Sequence, residues 1–256
     1  MVIDINAFIG RWPYWPVPAS SGGEVAAKLM AWGIERACIC STRSLFVNWE
    51  DGNVETVTAV REYPEKFFGF ACLGPRELSH RRGQGRHDLA AYQRRGFYGI
   101  RLYPQHHSYH PLHEPFIDEL CEDAAALSMP VLLSYRSIMN WGVPVQELSH
   151  LPALIERHPS VPWIISGVNY LHELRTAVAL LRKYESVHLE TSCVMGYEAI
   201  RKLVEECGHE RILFGSGAPI QHGKANLEKV MHARIPDALK EDILARNAER
   251  LLEPYI

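Results

Sequence analysis

Polar side chains that close apolar runs are the first candidates for chemistry in this sequence. Arg101 and Tyr103 alternate at the end of the run GIRLY, so they share one face of an extended segment. Arg101 there either grips a carboxylate in two-pronged fashion or makes a salt bridge at the surface or between layers. Ser134 and Arg136 close the next run, on one side of it while the chain stays extended, and two arginines together suit an anionic ligand. Ser166 with Asn169, Glu190 with Ser192, and Ser216 close later runs, and Asn6 closes the first. The segment QHHSYHPLH sets His106, His107, His110 and His113 directly after Arg101 and Tyr103. Imidazole titrates near about 6.5 and moves protons at neutral pH. Histidine-rich stretches also bind metal, but this spacing matches no standard site. Substrate contact and a plain solvated loop are the other readings. His222, in PIQHG after the last run, reads as a general base or as a structural histidine. Glu190 reads as an acceptor that ties the scaffold together. Ser134 lies in no GxSxG elbow and has no adjacent histidine, so it is not read as a nucleophile.

These residues need a scaffold that gathers strand ends. Apolar runs at 2–6, 37–41, 67–73, 99–103, 131–135, 163–167, 187–192 and 212–216 are rich in Val, Ile, Leu and Phe, several of them apolar on both faces. Helical spacing of apolar residues fills 24–33, 115–127, 145–157, 171–184, 197–207 and about 236–252. Strands alternating with helices predict a (β/α)8 TIM barrel, an α/β fold. The rival doubly wound sheet carries a glycine-rich turn after its first strand, and here that turn holds Asn6, Phe8 and Arg11. A barrel of about 250 residues fills the chain, so residues 1–256 are expected to form a single domain. Chemistry in such a barrel sits where the strands end, at the polar residues just named.

Composition narrows the partners. Hydrophobic residues at 47% and charged residues at 22% exclude dominant disorder. A net charge of -3, from 27 basic and 30 acidic residues, argues against nucleic acid and anionic membranes. No run of about 18 apolar residues exists to span a bilayer, and MVIDINAFIG has no basic, apolar or cleavage region of an export signal. Six cysteines without a CxxC pair suit a reducing compartment, so a cytoplasmic location is expected. WPYWPVPASSGG, from Trp12 to Gly23, reads as a long loop whose Trp12, Tyr14 and Trp15 either lid a pocket, cover the barrel rim or pack on a neighbouring subunit.

A series of short motifs, in order, carries a resemblance. Ile3-Asp4-Ile5-Asn6-Ala7-Phe8-Ile9-Gly10 is similar to I-D-x-H-x-H-x-G, and Pro130-Val131-Leu132-Leu133-Ser134 to P-V-x-x-H. Arg211-Ile212-Leu213-Phe214-Gly215-Ser216-Gly217-Ala218-Pro219 is similar to R-x-x-F-G-S-D-x-P, and Asn247-Ala248-Glu249-Arg250-Leu251-Leu252 to N-A-x-x-L-L. Gly33-Ile34-Glu35-Arg36-Ala37, the segment from Tyr63 to Phe70 and Gly99-Ile100-Arg101-Leu102-Tyr103-Pro104 fall at the matching strands between them. Together they resemble the amidohydrolase-related branch of the amidohydrolase superfamily, metal-dependent TIM-barrel hydrolases and decarboxylases. The resemblance implies the same barrel and leaves a homodimer open.

The departures from the pattern shape the expected function. The family's two strand-one histidines stand here as Asn6 and Phe8, its strand-five histidine as Ser134, its strand-six histidine as Gly167 and its strand-eight aspartate as Gly217. Phenylalanine offers no lone pair and glycine only backbone, while a catalytic zinc needs about three nitrogen, oxygen or sulfur ligands. No metal and no cofactor are therefore expected. The expected activity is a metal-independent hydrolase or lyase acting on a small anionic organic compound. In that reading His106, His107 and His222 are the catalytic candidates. Asn6, Arg101, Tyr103, Ser134, Arg136, Asn169 and Ser216 are the substrate-binding candidates. The alternative is a non-catalytic descendant that binds a small molecule or a partner subunit.

Overall fold

The computed structural model describes residues 1–75, 87–137, 148–169 and 171–255. Part of the helix expected at 145–157 therefore lies outside the described residues. Eight strands, β1 (Ile3–Ile9), β2 (Arg36–Ser41), β3 (Phe67–Cys72), β4 (Phe97–Leu102), β5 (Val131–Ser134), β6 (Trp163–Ser166), β7 (Val187–Glu190) and β8 (Ile212–Leu213), pair in sequence order and all in parallel. The ring closes through backbone bonds. Ile5 N–H donates to the Phe214 carbonyl at 2.9 Å, Gly217 N–H to Asn6 at 2.8 Å and Phe8 N–H to Ala218 at 2.7 Å. The helices alternate with the strands, which makes the (β/α)8 barrel that the strand and helix spacing predicts. They are α1 (Gly22–Trp32), α2 (Arg43–Phe46), α3 (Trp49–Glu62), α4 (Leu89–Arg94), α5 (Pro115–Ala126), α6 (Leu151–Arg157), α7 (Leu171–Lys183), α8 (Ala199–Cys207), α9 (Gly223–Met231), α10 (Asp237–Glu241) and α11 (Asn247–Leu252).

Burial on both strand faces follows from this closure. Outward residues such as Ala7, Ile39, Leu102, Leu133, Ile165 and Leu189 pack under the helices. Inward residues form layers, as a filled barrel requires. The lower layer is apolar, with Ile5, Cys38, Phe70, Leu132, Ile164 and Leu213 in one buried cluster. Each such side chain contributes roughly 1.5–3 kcal/mol by leaving water. The next inward positions up the strands are Asn6, Arg101, Ser134, Ser166 and Glu190, all buried. The polarity of the barrel thus changes within one layer, and the candidate site begins there.

Helices α2, α3, α4 and α9 fall outside the stretches read as helical from spacing, and the last expected helix is interrupted. Residues 49–62, unassigned by periodicity, form α3, capped by Asn48, whose side chain accepts from Asp51 N–H at 3.0 Å. Gly52 obscures the helical signal, yet it is required: a Cβ there would lie 2.3 Å from Ser44 N. The helix expected at about 236–252 is broken by a π turn, Asp242–Arg246. The Ile243 carbonyl accepts from Phe214 N–H at 2.9 Å, which ties this turn to the end of β8.

Candidate functional site

A β-bulge sets the site. β1 spends one residue more than β2 between the pairs Asp4/Ala37 and Ala7/Ile39. Bulges re-aim side chains near sites. Here Ile5 joins the lower apolar layer, Phe8 joins the mouth, and Asn6 sits between them inside the barrel. The Asn6 amide is used on both sides. Its Oδ1 accepts from Arg101 Nη1 at 3.0 Å, and its Nδ2 donates to Ser166 Oγ at 3.2 Å, Ser192 Oγ at 3.3 Å and Glu190 Oε1 at 3.3 Å.

Arg101 forms no salt bridge between layers among the described residues. The guanidinium is fully buried, and its Nη2 donates to the Cys38 carbonyl at 2.8 Å and the Ile5 carbonyl at 3.4 Å. It lies over the Phe8 ring at 4.9 Å and near Phe70 at 5.7 Å. Glu190, read as structural, is the acceptor hub of the layer. It receives Ser166 Oγ at 2.6 Å, Gly167 N–H at 3.1 Å, Ser192 N–H at 2.7 Å and Ser192 Oγ at 2.8 Å. Ser216 donates its hydroxyl and its N–H to Asp4, whose carboxyl burial pushes up to about 6 against those bonds. Sequence reasoning passed over Asp4 because one acidic residue in an apolar strand gives no signal of what it faces.

Above this layer Phe8, Trp12, Cys40, Leu45, Cys72, Tyr103 and Ile220 form the mouth cluster. Tyr103 is buried with its hydroxyl beside Arg101 but without a hydrogen bond of good geometry, and burial pushes the phenol up. His106 stacks edge-on against Tyr103 and Phe46, and Phe46 in turn against Trp12. Burial, with His107 beside it, lowers the His106 imidazole to about 4, so it is neutral at pH 7. Four buried nitrogen or oxygen atoms in this contiguous group have no hydrogen-bond partner: Trp12 Nε1, Arg101 Nε, Tyr103 Oη and His106 Nε2. His107 is engaged differently, with Nε2 at 2.9 Å from the Ser44 carbonyl, and burial lowers its pKa too.

The other candidates are dispersed. Ser134 Oγ donates to the Arg136 carbonyl at 2.7 Å. Arg136 pairs with Glu173 at 2.5 Å, so its charge is met inside the fold. Glu173 also accepts Asn169 N–H at 2.7 Å, while the Asn169 side-chain amide is fully buried and unpartnered. His222 caps α9, its ring accepting from Ala225 N–H at 3.4 Å, and is exposed with its ring against Trp32 of α1. Phe46, from α2, was missed because its run is too short for a periodicity.

Among the described residues no three His, Cys, Asp or Glu side chains are grouped to hold a metal ion. Among the described residues, hollows lie away from the mouth cluster. One of about 530 Å3 is edged by Pro159, His188 and Arg250, and one of about 500 Å3 lies between α7 and α8. His188 and Arg250 belong to the strand entries and the closing helix, the face that serves stability in this fold. No helix of the described residues is long and apolar enough to cross a membrane.

Solved structures share this architecture. An uncharacterised TIM-barrel protein from Bordetella bronchiseptica superposes with a TM-score of 0.77 at 16% identity, covering 99% of each chain. A 5-carboxyvanillate decarboxylase from Novosphingobium aromaticivorans, complexed with manganese and 4-hydroxy-3-methoxy-5-nitrobenzoic acid, gives 0.74 at 15% identity, covering 99% of this chain and 96% of that one. A 4-oxalomesaconate hydratase from Rhodopseudomonas palustris gives 0.68 at 16% identity, with the same coverage. At such identities the likeness is one of fold. No curated protein matches the chain. The family model described as Amidohydrolase matches residues 50–253, most of the length. This chain is a member of the amidohydrolase family.

Proposed function

We propose that the protein binds a small anionic organic compound at the mouth of the barrel and acts on it as a metal-independent hydrolase or lyase. One observation carries this reading: the group of buried, unpartnered polar atoms at Trp12, Arg101, Tyr103 and His106. A buried donor left unmade costs about 1–3 kcal/mol, and native proteins keep few of them. Indole, guanidinium and phenol all donate here, so the complementary ligand presents oxygen acceptors, as a carboxylate or enolate does. Phe8 and Phe46 add ring faces for a flat apolar body. The 5-carboxyvanillate in the name of the decarboxylase neighbour, an anionic aromatic acid, fits the same description.

The family's divalent metal does not fit these side chains. Phe8 lies in an apolar cluster under a guanidinium. Gly167, at φ +82°, has the Arg136 carbonyl 2.2 Å from where a Cβ would be, so no side chain can be raised there. Proton movement is therefore assigned to organic groups. His106, neutral and with Nε2 open, is the proton carrier. Arg101 Nε and Tyr103 Oη orient the anion.

Turnover of a panel of lactones, enol esters and aromatic carboxylates, in chelator, tests the proposal. His106→Ala is expected to lower kcat about 100-fold or more with KM little changed. His222→Ala, on the outer surface, is expected to match wild type. Saturable binding without turnover would support a non-catalytic binder instead, a reading favoured by the low basicity of His106. Turnover lost in chelator and regained with manganese or zinc would overturn the metal-free reading.

A further inference from the structure

We infer that the Arg101 guanidinium is a resident cation, standing at the strand-one positions that bear metal ligands in related proteins, with Glu190 as its counter-ion across the Asn6 amide. Arg101 is fully buried, and no carboxylate lies within ion-pair distance of it among the described residues. A bare buried cation is strongly unfavourable, so the fold must meet its charge in another way. It does so with neutral oxygens and ring faces: Asn6 Oδ1 at 3.0 Å, the Cys38 carbonyl at 2.8 Å, the Ile5 carbonyl at 3.4 Å, and the Phe8 and Phe70 rings. Both strand-one positions, Asn6 and Phe8, face this one group.

The Asn6 amide makes the arrangement directional. Its carbonyl oxygen turns to the cation, and its Nδ2 turns to Glu190 Oε1 at 3.3 Å. Glu190 receives donors from Ser166, Gly167 and Ser192 besides Asn6. An asparagine is the residue that can accept on one side and donate on the other in so small a space. Cation, amide and anion thus form a charge pair at one remove. A divalent ion approaching Asn6 would meet the guanidinium already bound there, and like charges in a dry interior repel.

The inference does not depend on the identity or fate of the ligand, so a failed turnover screen leaves it standing. It is tested by a double-mutant cycle on melting temperature with Arg101→Met and Glu190→Gln. If the two are counter-ions, each single change strands a buried charge, and removing both relieves it. The double variant is then expected to melt about 5 °C or more above the value that the two single losses predict. A double variant that folds where Arg101→Met does not also meets the expectation. Additive losses would overturn the inference. Should neither Arg101 variant fold, Asn6→Asp with Glu190→Gln decides, since it moves the anion directly onto the guanidinium at constant charge. That variant is expected to melt above Asn6→Asp alone, and the reverse order overturns the pairing. Stoichiometric zinc or manganese on untagged wild-type protein, displaced by no change at Arg101, would overturn it as well.

Discussion

Asp4 shows how a single buried carboxyl can set pH behaviour in this barrel. Its neighbours Ser216 and Asn6 donate to it, but burial dominates and lifts it to about 6. The native state therefore holds the proton more tightly than the unfolded chain, where aspartate titrates near about 3.9. The stabilising contribution is complete below that unfolded value and is lost as pH rises through about 6. At neutral pH the protein carries a buried charge that it would hold better as a neutral group. Asp4→Asn is expected to raise stability by about 1–2 kcal/mol at pH 8, the bound on such a shift being about 3 kcal/mol. The gain should vanish below pH 4. Urea unfolding at both pH values measures it, and a larger gain in acid than in base would contradict the assigned direction. Of the residues in this layer, Arg101, Ser134 and Glu190 were legible as polar strand ends. The Arg101–Asn6 contact was not. It spans 95 positions and depends on a bulge in β1, which has no turn residue or periodicity to announce it.

At the scale of elements, strands and most helices could be read because apolar spacing and closure demand the same residues. α1 runs to Trp32 and ends at Gly33 in the left-handed region, as a stop glycine should. α3 and the π turn were not legible, since each is decided by a tertiary contact: Gly52 against Ser44, and Ile243 against Phe214. The turn after β6 belongs to the same class. Gly167 combines φ +82° with the Arg136 backbone N and O at 2.6 and 2.2 Å from an added Cβ. Gly167→Ala must therefore move the β5–α6 connection or lose the Gly167 N–H bond to Glu190. A loss of at least about 3 kcal/mol is expected in urea unfolding, more than the roughly 1 kcal/mol of an ordinary strained glycine site. A loss under 1 kcal/mol would mean that the two strand ends are not packed as described.

Taken as one molecule, the barrel sets a dry apolar layer beneath a polar mouth, and the two layers ask opposite things of a side chain. In the lower layer every atom is satisfied by packing, so truncating Phe70, buried against the missing side chain of Gly99, should cost about 3–5 kcal/mol. At the mouth the unpartnered atoms of Trp12, Arg101, Tyr103 and His106 lower stability, and under the proposed function they are retained for a ligand. Tyr103→Phe separates these two demands, because it deletes only an oxygen that lies beside Arg101 without a well-formed hydrogen bond. Without that buried hydroxyl the protein should gain about 1 kcal/mol. For a chain of this length the melting temperature should rise by about 2–4 °C. The same change removes a donor to the bound anion, so affinity for the best aromatic carboxylate of the screen should fall about tenfold. A variant that melts lower than wild type would show that the hydroxyl serves the fold. A variant that melts higher but binds unchanged would move the ligand away from Tyr103, and the mouth would lose the observation that now marks it as the site.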